Sequence, residues 1–438
     1  MSDGNQAWLR RSLAAVWHPC TQMKTHERLP LVPVSRAQGA WLYDFDGNRY
    51  LDAVSSWWVN LFGHRHPRID AAIEAQLREF AHVMLAGFTH RSVVELSERL
   101  ARAAPRGLGH AFYGSDGASA AEIALKMSFH YWRNGGRPDK TRFVSLSGSY
   151  HGETLGALAV TDVALFHDVY APLLRQNATL PCPDARMADG TRSPRDVAID
   201  GAALLERHLA QHHAQIAALI VEPLVQGASG MVMYDPEYLR QARALCDRYE
   251  VLLIADEIMT GFGRTGTMFA CDQAGIAPDL MCLSKGITGG YLPLSCVLST
   301  DRVYAAFYDD EVTRGFLHSH SYTGNPLACA AALAVLDLFE TEDVIARNAD
   351  KSRRFTEIAA PLRRHARVSH FRNRGMIWAF EVSSERKDFA RWCFAEALRR
   401  GILLRPIGNT VYFMPPYIVE AEEFALLAER TLDIVEQA

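Results

Sequence analysis

The chain has 438 residues, with 46 lysines and arginines against 50 aspartates and glutamates and a formal net charge of −4. That length can bury a large core and divide into lobes, while the mildly acidic balance argues against nucleic acid or an anionic membrane as partner. No apolar run approaches the ~20 residues that span a bilayer, the start "MSDGNQAWLRRSLAAVW" lacks a signal-peptide pattern, and eight scattered cysteines without a CxxC pair read as reduced thiols, so a cytoplasmic setting is expected.

In chain order, the stretch through "GAWLYDFDGNRYLDAVSSWWVN" reads as a β-meander, with Asp46-Gly47 as a tight hairpin signal. From about residue 68 the pattern changes to helices, such as "AAIEAQLREFAHVM" and "PEYLRQARALCDRYE", alternating with short apolar strands. The strands include "ALAV" after Gly156, "IAALIVEPL" and "VLLIADEI". Such alternation predicts an α/β protein with a mostly parallel sheet covered on both faces. A long helix, "PLACAAALAVLDLFETEDV", then leads to "GMIWAFEV", "GILLRP" and "TVYFMPPY", strands of a smaller α+β lobe. The expected division is residues 1–62 as the N-terminal part of the small lobe, 63–330 as the large lobe, and 331–438 as its C-terminal part.

Candidate chemistry gathers where apolar runs end. "DLMCLSKGITGG" puts Lys285 at such an end, with Gly286, Gly289 and Gly290 beside it, and "VLLIADEI" ends in Asp256 and Glu257. Ligands of doubly wound sheets sit outside the carboxyl ends of strands, so the lysine and an acid can face one pocket. Taken singly, Asp256 reads as a cap or ion pair and Lys285 as a snorkelling surface lysine. Together they fit a desolvated, Schiff-base-forming lysine with a carboxylate that keeps a pyridine nitrogen protonated, the needs of pyridoxal phosphate. "YGSDGASAAEIALKM" runs small residues into a helix start that can hold a phosphate, although an ordinary capped helix reads the same way. Tyr150 is a ring clamp or a packing tyrosine.

"GFGRTG" (261–266) satisfies GxGxxG, but a dinucleotide site needs a helix directly after it and an acid about 20 residues on. "TMFACDQAGIAPDL" is a poor helix, and no acid lies between Asp279 and Asp301. The pairs His64/His66 and His318/His320 have no partners at zinc spacing and read as structural, so no metal is expected.

"LIADEIMTGFGRTG" followed by "APDLMCLSKGITGG", with "SGSYHGETLGA", "VEPLVQGASG" and "HSHSYTGNPLACAAA", resembles the class III pyridoxal phosphate aminotransferases. Within them, "VWHPCTQM", "DAVSSWWVN" and "LLRPIGNTVYFMPPY" resemble the biotin-pathway branch. The resemblance implies fold type I, with a seven-stranded-type sheet, and a homodimer with shared active sites. It implies ping-pong transfer of an amino group from S-adenosylmethionine to 8-amino-7-oxononanoate, giving 7,8-diaminononanoate. Another class III amine or ω-amino acid, or lysine as donor to the same acceptor, is the alternative.

Carried over by residue, the resemblance makes Lys285 the cofactor-bound lysine and proton shuttle, with Asp256 at the pyridine nitrogen. Ile258 would lie behind the ring, Tyr150 before it, and Glu222 in its hydrogen-bonded shell. Gly117 and Ala118 would bind phosphate; Ala118 stands where the family commonly has Ser or Thr, so one hydroxyl contact is lost or is supplied by Ser115 or Ser119. Ser319, His320 and Ser321 correspond to a loop reaching the neighbouring subunit's cofactor. On the substrate side, Trp57 would form a pocket wall, Arg405 would hold a carboxylate, and Arg264, Tyr150 and Tyr412 would line the pocket. Cys20 replaces a common tyrosine and Glu153 a common aspartate. Ala228 stands where many relatives have a glutamate that masks an arginine.

Overall fold

The computed structural model describes residues 4–29 and 31–438 and divides the chain into two compact units. The larger comprises Pro67–Asp350 and Arg372–Ile377. The smaller comprises the segment up to His66 with Lys351–Phe371 and Trp378–Ala438.

The larger unit is built on a seven-stranded sheet. Its strands are β1 (His110–Gly114), β2 (Arg142–Leu146), β3 (Ala178–Leu180), β4 (Ile216–Val221), β5 (Leu252–Asp256), β6 (Leu280–Leu283) and β7 (Ser295–Ser299). Their order is β1-β7-β6-β5-β4-β2-β3. β7 runs antiparallel to both its neighbours, and the remaining pairs are parallel. β4, β5 and β6 are buried at every position, which is why they read as unbroken apolar runs rather than alternating ones. The helix Gly117–Asn134 supplies Ile123, Ala124 and Met127 to the core these strands share. This arrangement is the expected α/β, fold-type I architecture.

Two expectations are corrected. "ALAV" is not a strand: Ala157 and Leu158 end a short helix, Leu155–Leu158. Alanine and leucine favour helix, and the Glu122 carboxylate fixes the entry by accepting from the Gly156 amide at 2.6 Å. The lobe boundary expected at 331 also falls later, since the chain stays in the larger unit to Asp350. The helix Pro326–Thr341 is buried along most of its length and packs on helices Pro67–Glu79 and Arg91–Ala103 of that unit.

The smaller unit holds a four-stranded sheet in the order Val34–Gln38, Trp41–Asp44, Arg49–Asp52, Ile402–Leu403. The first three strands form the antiparallel meander. The last lies parallel to Arg49–Asp52, with Leu403 opposite Asp52. That register brings the chain following Asp52 beside the chain following Leu403. Among the described residues no helix is long and apolar enough to cross a membrane.

Candidate active site

The larger unit collects its functional side chains at the carboxyl ends of parallel strands. Asp256 closes β5, Glu222 follows β4, Lys285 follows β6 by two residues, and Tyr150 lies in the loop after β2. Gly117 opens the helix that follows β1.

Lys285 is partly buried and sits in the left-handed region, φ 47°, a strained conformation of the sort that collects at functional sites. Loss of hydration lowers its pKa, the Asp256 and Glu222 carboxylates oppose that shift, and the Arg264 guanidinium adds to it. The lysine therefore becomes neutral, and nucleophilic, more readily than one in water. Lys140 is the contrast. It too is buried, but its Nζ donates to the carbonyls of His213, Ile216 and Glu250 at 2.7, 3.1 and 2.6 Å. Three carbonyls consume that ammonium's hydrogens, so Lys140 ties chain segments together.

Asp256 is held rigidly. One carboxylate oxygen accepts from the Ile258 amide at 3.1 Å and the other lies 2.7 Å from His151 Nδ1. Opposite a carboxylate, that nitrogen carries the proton; His151 Nε2 is buried and makes no hydrogen bond among the described residues. His151 was not singled out in the sequence, though it stands next to Tyr150.

Glu222 accepts from the Tyr150 amide at 2.9 Å and the Gly227 amide at 3.0 Å, and burial raises its pKa to about 7. The Tyr150 hydroxyl donates to Glu153 at 2.8 Å, which gives Glu153 a contact. Glu257, beside Asp256, serves another end. Its carboxylate accepts from Thr260 Oγ1 at 2.6 Å and from the Ala270 and Cys271 amides at 3.0 and 2.8 Å. It thus closes the loop that carries the buried Arg264. No helix directly follows "GFGRTG"; the next, Cys271–Ala274, is four residues long, so the loop lacks the context of a dinucleotide site.

The start of the Gly117–Asn134 helix offers backbone N–H groups to an anion. A side chain at Gly117 would bring its Cβ to 3.0 Å from Ile258 Cγ2, and one at Gly152 would stand 2.5 Å from the Ala118 Cβ. Small residues at 117, 118 and 152 therefore keep this corner open. Ser115 Oγ lies 3.0 Å from His320 Nδ1, which places the loop bearing Ser319, His320 and Ser321 next to the same helix start. Ser321 is exposed, and its carbonyl faces His82 Nε2 at 2.8 Å. A lysine of lowered pKa, a fixed carboxylate, an aromatic ring and an open helix N-terminus fit a cofactor with an aldehyde, a pyridine nitrogen and a phosphate.

The smaller unit gathers Trp57, Arg405, Tyr412 and Cys20. The Arg405 guanidinium carbon stands 4.2 Å from the centroid of the Trp57 ring. Trp58 Nε1 donates to the buried Tyr412 hydroxyl at 3.0 Å, so Tyr412 supports this turn from behind. A cavity of about 450 Å³ is lined by Cys20, Leu31, Leu42, Phe394, Leu403 and Arg405 among others. Ser55, Ser56, Trp57 and Trp58 have φ of 51°, 47°, 72° and 73°. Four successive non-glycine residues in this region, at about 1–2 kcal/mol each, form a turn that local sequence preferences would not select.

The Aminotransferase class-III family matches residues 22–435. The adenosylmethionine-8-amino-7-oxononanoate aminotransferase of Helicobacter pylori is 45% identical over 435 residues, covering 97% of each chain. The crystal structure of the enzyme of that name from Methanocaldococcus jannaschii superposes with a TM-score of 0.92 at 34% identity, covering 99% of each chain. An amine transaminase from an uncultivated Pseudomonas species, solved in its pyridoxal phosphate-bound form, superposes with a TM-score of 0.90 at 34% identity, covering 97% of this chain and 98% of that one. The chain belongs to the class III aminotransferases and is a pyridoxal phosphate-dependent enzyme.

Proposed function

We propose that the enzyme transfers the amino group of S-adenosylmethionine to 8-amino-7-oxononanoate, in a ping-pong reaction of a homodimer. Pyridoxal phosphate, when bound, supplies the electron sink that lets a proton leave the carbon bearing the amine. Lys285 would hold the cofactor, and its neutral amine would move that proton as a base. Its lowered pKa provides for the neutral form. Asp256, fixed by His151 and the Ile258 amide, keeps the pyridine nitrogen protonated. Tyr150 and Ile258 would cover the ring, Glu222 orders the loop of Tyr150, and Gly117 with Ala118 would bind the phosphate through backbone N–H groups. Ser319, His320 and Ser321 serve the partner's site. Arg405 receives the carboxylate of the oxo-acid, Trp57 forms the wall behind it, Tyr412 supports that turn through Trp58, and Arg264 and Cys20 are further substrate contacts.

The observation that carries the acceptor assignment is Arg405. It is partly buried, stacks on an exposed tryptophan and pairs with no acidic side chain among the described residues, as a carboxylate receptor should. The name borne by the Helicobacter relative supports the same reading. The test is spectroscopic. S-adenosylmethionine should bleach the bound cofactor's near-visible band, and 8-amino-7-oxononanoate should restore it. Bleaching by lysine or alanine in its place would overturn the donor.

A further inference from the structure

The left-handed turn at Ser55–Trp58 raises a question the reaction does not answer: what holds a strained backbone so that Trp57 lies against Arg405? The tethers come from within the smaller unit. Ser56 Oγ donates to Asp52 Oδ2 at 2.7 Å, and the Val54 amide donates to Asp52 Oδ1 at 3.2 Å. Ser55 Oγ donates to the Met414 carbonyl at 2.7 Å. Asp52 has no exposed surface. Its titratable neighbours include His64, with Nε2 3.9 Å from Oδ2, and the buried Tyr412, which feels its charge.

The sheet explains why this one carboxylate can set the geometry. Asp52 ends its strand directly opposite Leu403, two residues before Arg405 and five before Trp57. Bracing the turn at Asp52 therefore fixes the tryptophan relative to the arginine. With the indole covering one face of the guanidinium, an incoming carboxylate is left the N–H edge, where two parallel hydrogen bonds form. Residual motion of the turn would leave that fork to be ordered at binding, a cost that preorganisation removes.

We propose that Asp52, acting through Ser56, is a positioning residue that locks Trp57 onto Arg405 and so sets the enzyme's preference for a carboxylate-bearing substrate. The proposal rests on the reading that Arg405 receives that carboxylate.

The test is the affinity of cofactor-loaded enzyme for nonanoate and for its uncharged counterpart nonanamide, measured by titration calorimetry. Wild-type enzyme should prefer nonanoate by roughly tenfold. Ser56→Gly removes the tether but suits the left-handed φ, so its melting temperature should not fall. A purely structural role for Ser56 therefore predicts unchanged binding. The proposal predicts that nonanoate weakens by roughly fivefold while nonanamide does not change. Asp52→Ala should behave alike, and Asp52→Asn, which can still bond both Val54 and Ser56, should recover most of the preference. If Asp52→Ala does not fold, Ser56→Gly decides alone. A wild-type enzyme that fails to prefer nonanoate overturns the Arg405 reading and the proposal with it. A wild-type preference that Ser56→Gly leaves intact overturns the positioning role and spares the reading.

Discussion

Replacing His151 by phenylalanine should separate the carboxylate at the end of β5 from the group that orients it. Asp256 accepts two short contacts, from the Ile258 amide and from His151, and its side chain is 4% exposed. Phenylalanine fills similar volume but leaves Oδ2 without its donor in a site that water scarcely reaches. A hydrogen bond to a buried charge contributes about 1.5–3 kcal/mol, so the variant should lose roughly ten- to a hundredfold in whatever Asp256 does in its ionised, oriented form. We expect that loss in kcat and a weaker affinity for pyridoxal phosphate, read by equilibrium titration of the apoenzyme at the cofactor's absorbance. The melting temperature of the apoenzyme serves as the fold control. Turnover and cofactor affinity within twofold of wild type would refute the claim that His151 orients Asp256.

Arg405→Ala should raise KM for the oxo-acid by at least tenfold with a smaller change in kcat, since a desolvated carboxylate pair is lost; steady-state kinetics with the acid varied would reveal it. Lys140→Met strands three carbonyls and should destabilise the chain by about 3 kcal/mol or more, measured by urea unfolding. Burial raises Glu257 to about 7 from 4.5. The stability this group contributes is therefore fully present below about pH 4.5 and is lost as pH rises through 7, at about 3 kcal/mol in all. Glu257→Gln has no charge to bury, so the advantage of wild type over the variant should shrink between pH 4.5 and pH 8, followed as melting temperature. An advantage that grows over that range would contradict the assignment.

Much of the larger unit was legible because its strands are buried on both faces. A continuous apolar run ending in Asp256, Glu222 or Lys285 declares both the strand and the polar group at its carboxyl end, and the sheet order then makes those ends neighbours. His151 was missed for a physical reason: nothing in "SYHGE" says which strand end its ring will face, and only the β2–β4–β5 order brings it to Asp256. The turn at Ser55–Trp58 escaped for a different one. Serine and tryptophan rarely adopt left-handed φ, so only tertiary tethers such as Asp52–Ser56 can impose it, and those depend on register. The division near residue 331 failed because an apolar helix announces that it will be buried but not which unit will bury it. Cys20, put on the substrate side only by the resemblance of "VWHPCTQM", lies on the wall of a cavity it shares with Arg405.

The account turns on Lys285 as the residue that carries the cofactor. Borohydride reduction of the pyridoxal phosphate-loaded enzyme, followed by proteolysis and mass mapping, tests this most directly. The reduced pyridoxyl adduct should lie on the peptide containing Lys285 and vanish in Lys285→Ala. An adduct on another lysine, such as Lys140 or Lys126, or none at all, would contradict it.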